Sequence, residues 1–475
     1  MTLADSYFGV VLQLTSTVII SRVLTPKEIG IYAVAAVFSG LASMFRDFGV
    51  AEYMIQEKEL NNDKIAAALS LNIIISWSMA LAMFLGAPYA ATFYSDPGIA
   101  SVMRVQALGF LMVPFGAVTM AYFRRQLNFR PVLICNVVAN LTSFSLALSL
   151  VLLGYGYMSM AWASVAAIAV SVLLGMWFRP PSFPRWPGLK GVGAVFGFSK
   201  FVSSIYIVGQ ISKGAPEMVI GRAESVVEVA MFSRAGGLVE IAQRLFLRPV
   251  HFICMPYFAQ SERDGGSISE AYIKSVSYLT AVGWPFLAFM GLAAFSAIRM
   301  VYGPQWDAAV PLAQILCAAC CLELVHMMSR EALLARGLAR QANSLQIGLL
   351  LLQALGLAAV VPFGLPGAAW GVLAAAACGM LLSQWFLARC IGLRAADLLR
   401  ACRPSLFLLV GALAPSALWA LLTDARLQNH VLFGLGGGLL TLLSWLLMLR
   451  WAGHPLLEEL LNLTRKLRPK SPNAS

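Results

Sequence analysis

The chain has 475 residues, of which 59% are hydrophobic and only 12% charged, with a net charge of +12. Soluble domains carry about 25% charged residues, so a water-soluble fold of this length would expose much of its apolar surface. That excludes a cytosolic globular enzyme and intrinsic disorder. The expectation is an all-α polytopic membrane protein.

A membrane helix requires about 20 mostly apolar residues. Fourteen such stretches follow one another, at 6–21, 29–45, 65–93, 105–123, 132–153, 158–178, 201–220, 229–258, 276–298, 308–334, 342–361, 367–387, 406–422 and 431–449. The first lacks a basic segment before it and a small-residue cleavage site, so it reads as a span and not as a signal peptide. With the N-terminus inside, the loops after even-numbered spans and the C-terminal tail hold 26 of the 34 basic residues. The other side holds Arg22, Lys27, Arg104, Arg222, Arg299 and Arg426. Cytoplasmic loops concentrate Lys and Arg, and a wrong span count would scramble that alternation. Fourteen spans with both termini cytoplasmic is the expectation. The positive charge then serves orientation and contact with anionic membrane lipids; no nucleic acid is implied.

Cys317, Cys320 and Cys321 sit close together, but in an apolar span with no second ligand pair. They read as small packing residues, with no metal. No cofactor is expected.

A proline-rich interlude, Arg179-Pro-Pro-Ser-Phe-Pro-Arg-Trp-Pro-Gly-Leu-Lys190, forbids a continuous helix and separates spans one to six from the rest. The two sides resemble each other. An offset of 208 places Trp162 on Trp370, Leu173 on Leu381, Trp177 on Trp385 and Phe178 on Phe386. An offset of 200 places Arg22 on Arg222, Glu28 on Glu228 and Tyr32 on Phe232. Six spans return the chain to its starting side, so the copies share one orientation about an axis along the membrane normal. The expected domains are 1–190, a six-helix lobe with its linker; 191–400, a second six-helix lobe related by a pseudo-twofold; 401–451, two additional helices; and 452–475, an amphipathic cytoplasmic tail. Two such lobes facing each other form the cleft of an alternating-access transporter.

Ionisable groups at membrane depth are costly unless paired or wetted, so each is a functional candidate. Spans one to six carry almost none. Spans seven, eight and ten carry Lys213 and Glu217; Arg234, Glu240, Arg244 and Arg248; Glu323, His326, Arg330 and Glu331. Lys213 with Glu217 and Glu240 with Arg244 are spaced i, i+4 and can neutralise each other within a helix. Arg234 has no acidic residue three or four positions away. Lys213 and Arg234, with Arg244, suggest a cationic lining for a phosphate-bearing substrate. Glu217, Glu240, Glu323 and His326 are the candidates for coupling to an ion, because desolvation brings a buried carboxyl toward the physiological range. Gly209, Gly214 and Pro216 in span seven, and Gly283 and Pro285 in span nine, read either as close packing or as hinges.

The N-terminal half resembles the polysaccharide transporter family of Wzx-like oligosaccharide flippases, within the multidrug/oligosaccharidyl-lipid/polysaccharide exporter superfamily. The residues that carry the likeness are Ser21-Arg-Val-Leu-Thr-Pro-Lys-Glu-Ile-Gly-Ile-Tyr32, Phe45-Arg-Asp-Phe-Gly-Val50, Ile55-Gln-Glu-Lys58, Phe93-Tyr-Ser-Asp-Pro97, Arg125-Gln-Leu-Asn-Phe-Arg130 and Gly154-Tyr-Gly156. Gly221-Arg222 and Met231-Phe-Ser-Arg-Ala235 extend it into the second half. The resemblance covers roughly residues 5–400 and is specific over the first 160. It implies a substrate of undecaprenyl diphosphate carrying a sugar oligomer, for capsule, exopolysaccharide or O-antigen. It also implies translocation across the bacterial cytoplasmic membrane and a cycle driven by H+ or Na+, with the polymerase of the same pathway as a further partner. With that substrate, the cationic Lys213 and Arg234 are the expected contacts of the diphosphate, Arg46 and Asp47 at the cytoplasmic end of span two are the candidate gate, and spans 13 and 14 are the candidate shelter for the polyprenyl tail, as in related lipid flippases. The competing readings are a cation-coupled drug or metabolite extruder and a membrane-embedded polymerase or ligase. The short outer loops and the lack of D-x-D, P-loop and H-E-x-x-H motifs disfavour an enzyme.

Overall fold

The computed structural model describes residues 2–46, 50–57, 59–181, 183–184, 186–190, 192–193, 195–196, 214–243, 257–258, 260–360, 363–423, 429–454 and 456–457. Every regular element among them is helical. In chain order these are α1 (Thr2–Val23), α2 (Pro26–Arg46), α3 (Val50–Gln56), α4 (Asn62–Phe93), α5 (Pro97–Met112), α6 (Pro114–Arg125), α7 (Phe129–Leu152), α8 (Met158–Trp177), α9 (Val226–Ala242), α10 (Ile268–Leu292) and α11 (Ala294–Val301). After a 3-10 turn at Pro304–Ala309 come α12 (Val310–His326), α13 (Ser329–Ala335), α14 (Ala339–Val360), α15 (Gly364–Ile391), α16 (Ala395–Thr423) and α17 (His430–Trp451). Residues 214–223 are also helical.

Among the described residues, ten helical stretches are long and apolar enough to cross a membrane. An eleventh is α5 with α6, bent by 53°. α1 stands for the first expected stretch, and the seventh and eighth are described only from 214 and up to 243. The all-helical, many-span architecture read from the composition is the one observed. The stretch Pro304–Ala335 is half buried, whereas α7, α14 and α17 have only 17% of their apolar windows buried. The former is the most enclosed of these stretches, and the latter three leave most of their apolar windows exposed.

The chain divides into two compact units, 1–233 and 234–475. In the first, α4 packs on α5, α5 on α8 and α2, and α7 on α8 and α1. In the second, α10 packs on α12 and α16, α12 on α15, α15 on α14, and α16 on α17.

Local sequence sets the helix starts. Thr25 and Glu28 form a capping box on α2: the Thr25 amide donates to Glu28 Oε2 at 2.9 Å, and the Glu28 amide to Thr25 Oγ1 at 3.3 Å. Asp96 caps α5 by accepting from the Gly98 amide at 2.8 Å, with Pro97 in the first turn. Pro114 lacks an amide proton and breaks the span into α5 and α6.

The duplication extends to backbone detail. Leu24 and Ile29 donate to the carbonyls of Ile20 and Thr25; at an offset of 200, Glu224 and Val229 donate to Ile220 and Ser225. Left-handed residues recur too: Ser95 (φ 56°) corresponds to Gly303 (105°), Leu127 (54°) to Gly337 (77°), and Gly156 (56°) to Gly364 (73°). The turns after the broken span therefore share one geometry, although one copy uses leucine where the other uses glycine.

α16 and α17, outside the repeat, are fixed to α10 by polar contacts. Thr280 Oγ1 donates to Ser405 Oγ at 2.8 Å, and Trp445 Nε1 to the Ala281 carbonyl at 2.8 Å. Ser416 and Thr441 bond each other at 2.7 Å. Beyond α17, His454 is 2% exposed. It accepts from the Leu456 amide at Nδ1 (3.2 Å) and lies 3.2 Å from Ser277 Oγ through Nε2.

Candidate functional site

Arg234 lies in the middle of α9. Its guanidinium carbon is 5.4 Å from the ring centroid of Tyr302 and 5.5 Å from that of Trp306. Both rings are fully buried, at 1% and 0% exposure. A cation over an aromatic face within about 6 Å is attracted by the ring quadrupole, by up to about 2 kcal/mol when desolvated. The two rings give the cation an apolar, electron-rich neighbour, while its N–H groups can still donate in the guanidinium plane. Arg234 Nε is buried and has no hydrogen-bond partner among the described residues.

The two rings are carried by a hairpin. α11 ends at Val301, Gly303 turns the chain at φ 105°, and the 3-10 turn begins at Pro304. Arg299 closes it with three bonds to Asp307: Nε to Oδ1 at 2.9 Å and to Oδ2 at 3.2 Å, and Nη2 to Oδ2 at 2.5 Å. On α9, Gly237 makes room for the hairpin, because a Cβ there would stand 3.2 Å from Tyr302 Oη. Sequence reading singled out Arg234 but not its partners, which lie about 70 residues away. The available signals were the Gly-Pro turn and the Arg299/Asp307 pair bracketing two aromatics.

The other candidates fall as follows. Glu240 lies on α9 six residues beyond Arg234, and Gln243 just after α9 reaches Cys320 Sγ on α12 at 3.6 Å. Glu323 and His326 lie one turn apart near the end of α12. Gly379 of α15 stands close to His326, 3.8 Å from Nε2 to where its Cβ would be. Glu217 belongs to the helical segment 214–223. Lys213, Arg244 and Asp47 lie outside the described residues, so the two i, i+4 pairs are seen from one side only. Arg46 ends α2, and its side chain lies outside the described residues. Arg234, Glu240, Glu323 and His326 all belong to the second unit; Glu217 and Arg46 belong to the first. Gly283 is a packing residue: a Cβ there would collide with Leu324 of α12.

A second set of polar groups lies where the C-terminal end of α6 meets the end of α3 and the start of α4. Arg125 Nη1 donates to the carbonyls of Met54 (3.0 Å) and Ile55 (3.3 Å) and to that of Glu57, closing the end of α3. Lys64 Nζ lies 3.0 Å from Glu57 Oε1 and holds that carboxyl below the usual glutamate range. This gives a structural role to the Arg125-Gln-Leu-Asn-Phe-Arg130 segment. Cys317 and Cys320 are buried free thiols, Cys321 is a half-buried one, and no cluster able to hold a metal occurs among the described residues.

Residues 19–311 match the family model described as polysaccharide biosynthesis protein. The chain is 23% identical over 386 residues to the teichuronic acid biosynthesis protein TuaB of Bacillus subtilis, covering 81% of this chain and 80% of that one. It is 24% identical over 309 residues to the succinoglycan biosynthesis transport protein ExoT of Rhizobium meliloti, covering 64% and 62%. Its fold superposes on the lipid II flippase MurJ in an inward closed conformation with a TM-score of 0.79, at 12% identity, covering 94% and 97%. A multi-span helical membrane protein with a match over most of its length, the chain belongs to the polysaccharide biosynthesis protein family.

Proposed function

We propose that this protein is a flippase that carries undecaprenyl-diphosphate-linked oligosaccharide units across the bacterial cytoplasmic membrane by ion-coupled alternating access, and that it is a transporter and not an enzyme. The family membership, the transport and biosynthesis relatives and the likeness in fold to a lipid flippase support this reading. The observation that carries it is Arg234: an arginine in a membrane-spanning chain, within about 5.5 Å of the buried Tyr302 and Trp306 rings, with its Nε edge buried and unpartnered among the described residues. Such an edge suits bidentate recognition of a phosphate, and Arg234 would share the diphosphate with Lys213 and Arg244. Glu217, Glu240, Glu323 and His326 would carry the coupling to H+ or Na+. Arg46 and Asp47 would gate the cytoplasmic end. Both termini would be cytoplasmic, because 26 of the 34 basic residues then face inward. The polymerase of the same pathway would take over the product.

The test is leaflet orientation in proteoliposomes that contain an undecaprenyl diphosphate oligosaccharide. A pH or sodium gradient is imposed and glycan access is followed with an impermeant reagent. Gradient-dependent flipping that Arg234→Ala abolishes supports the reading. Export of organic cations without glycan flipping would overturn it in favour of an extruder.

A further inference from the structure

The break between α5 and α6 encloses a cavity of about 450 Å³ within the first unit. The first turn of α6 lines it through Gly116 and Ala117. Four polar side chains from four helices also reach it: Asn72 of α4, Arg124 of α6, Asn136 of α7 and Ser171 of α8. Gly116 allows α8 to close the wall, since a Cβ there would stand 3.2 Å from the Val172 Cα.

Asn72 is 5% exposed. Its Oδ1 accepts from Ser76 Oγ at 3.0 Å. Ser171 is half-buried on α8, and Arg124 is exposed near the end of α6. A polar side chain buried in a membrane-spanning bundle is costly unless protein, water or a ligand meets it. Helix breaks in membrane proteins are tolerated where they line a wet cavity, and transporters place binding sites there. The chemistry of the lining is specific. Two carboxamides and a hydroxyl match the hydroxyls of a sugar, and one guanidinium at the edge matches a carboxylate or phosphate substituent. The volume lies within the roughly 300–1,000 Å³ of small-molecule sites and has room for a short saccharide.

From this juxtaposition we propose that the cavity at the α5–α6 break is a saccharide-binding subsite, with Asn72, Asn136 and Ser171 holding sugar hydroxyls and Arg124 selecting an acidic sugar. The inference rests on the flippase reading for its substrate class, but not for its test. Binding of cellobiose and of cellobiouronic acid to the full-length protein, held in phosphatidylcholine nanodiscs, is measured by saturation-transfer NMR. The acidic disaccharide binds more tightly to the wild type. Arg124→Ala lowers its affinity about tenfold, to the level of cellobiose, and leaves cellobiose binding unchanged. Ala117→Trp, which fills the cavity, abolishes both with the fold checked by thermal unfolding. If Ala117→Trp folds and binds as the wild type does, or if Arg124→Ala leaves the acidic preference intact, the subsite is overturned. Displacement of the disaccharide by phosphatidylglycerol would also overturn it, marking a lipid-headgroup site. Failure of the flippase reading looks different: disaccharide binding with no movement of any lipid-linked glycan would keep the subsite and discard the flippase.

Discussion

Trp284 makes in the second unit the hydrogen bond that Trp77 makes in the first. Trp77 Nε1 donates to the Leu111 carbonyl at 3.2 Å, and Trp284 Nε1 donates to the Cys321 carbonyl at 2.8 Å. The donors are 207 residues apart and the acceptors 210. Each acceptor lies in a span that is interrupted soon after, at Val113–Pro114 and at Met327–Met328. Tyr272 adds a second bond in the second unit, from its hydroxyl to the Val325 carbonyl at 2.9 Å. In each copy an indole thus donates to a carbonyl of the span just ahead of its interruption.

Trp284→Phe keeps the ring and removes the donor. It should cost about 1 kcal/mol, the net worth of one such bond. Trp77→Phe should cost the same or less, given its longer bond and exposed ring. The two lie in separate units, so their effects should add. Thermal unfolding of the single and double variants in detergent checks this.

The hairpin that carries Tyr302 and Trp306 predicts a hierarchy. Arg234→Lys keeps the charge but loses the planar guanidinium fork, and should abolish glycan flipping as fully as Arg234→Ala. Trp306→Leu should lower stability by about 3 kcal/mol, as the loss of a fully buried aromatic does. Asp307→Asn should cost under about 1 kcal/mol, because the Arg299–Asp307 pair is a third exposed. It should still speed amide exchange across residues 302–306, which hydrogen-exchange mass spectrometry reads.

The many-span architecture and the duplication were legible in the sequence, because hydropathy runs and tryptophan spacing are local or periodic. The recurrence of Trp162 at Trp370 was visible as spacing. The recurrence of Trp77 at Trp284 was equally present in the sequence, but its meaning depends on which carbonyl each indole reaches in the folded chain. Arg234 stood out for lacking a near neighbour of opposite charge. Its aromatic partners did not, because nothing in the sequence brings residue 302 to residue 234. The lining at Asn72, Asn136 and Ser171 was illegible for the same reason: single polar residues in apolar spans are ordinary until several converge.

Leu127 is strained where its counterpart is not. A non-glycine residue in the left-handed region costs about 1–2 kcal/mol, and glycine in an unfolded chain costs back about half of that. Leu127 is 75% exposed, so little packing is lost on replacing it. Leu127→Gly should therefore raise stability by up to about 1 kcal/mol, while Gly337→Leu should lower it by more. Melting temperatures of the two variants measured side by side test the asymmetry.

His454 predicts a pH dependence. Burial holds its imidazole pKa below the ordinary histidine value, and the neutral ring is the form that accepts from Leu456 and donates to Ser277. Its contribution is full above the ordinary histidine pKa and is lost as the pH falls through the folded value. Between pH 8 and pH 5 the wild type should lose protection from trypsin after Arg450, and His454→Phe should lose less. Equal acid sensitivity of the two proteins would refute the assignment.

A Cβ at Gly30 of α2 would overlap the carbonyl oxygen of Val226 at the start of α9. Here main chain meets main chain, and no rotamer is available to yield. Any residue larger than glycine at position 30 would therefore have to move the backbone of Val226, a shift that no side-chain adjustment can replace.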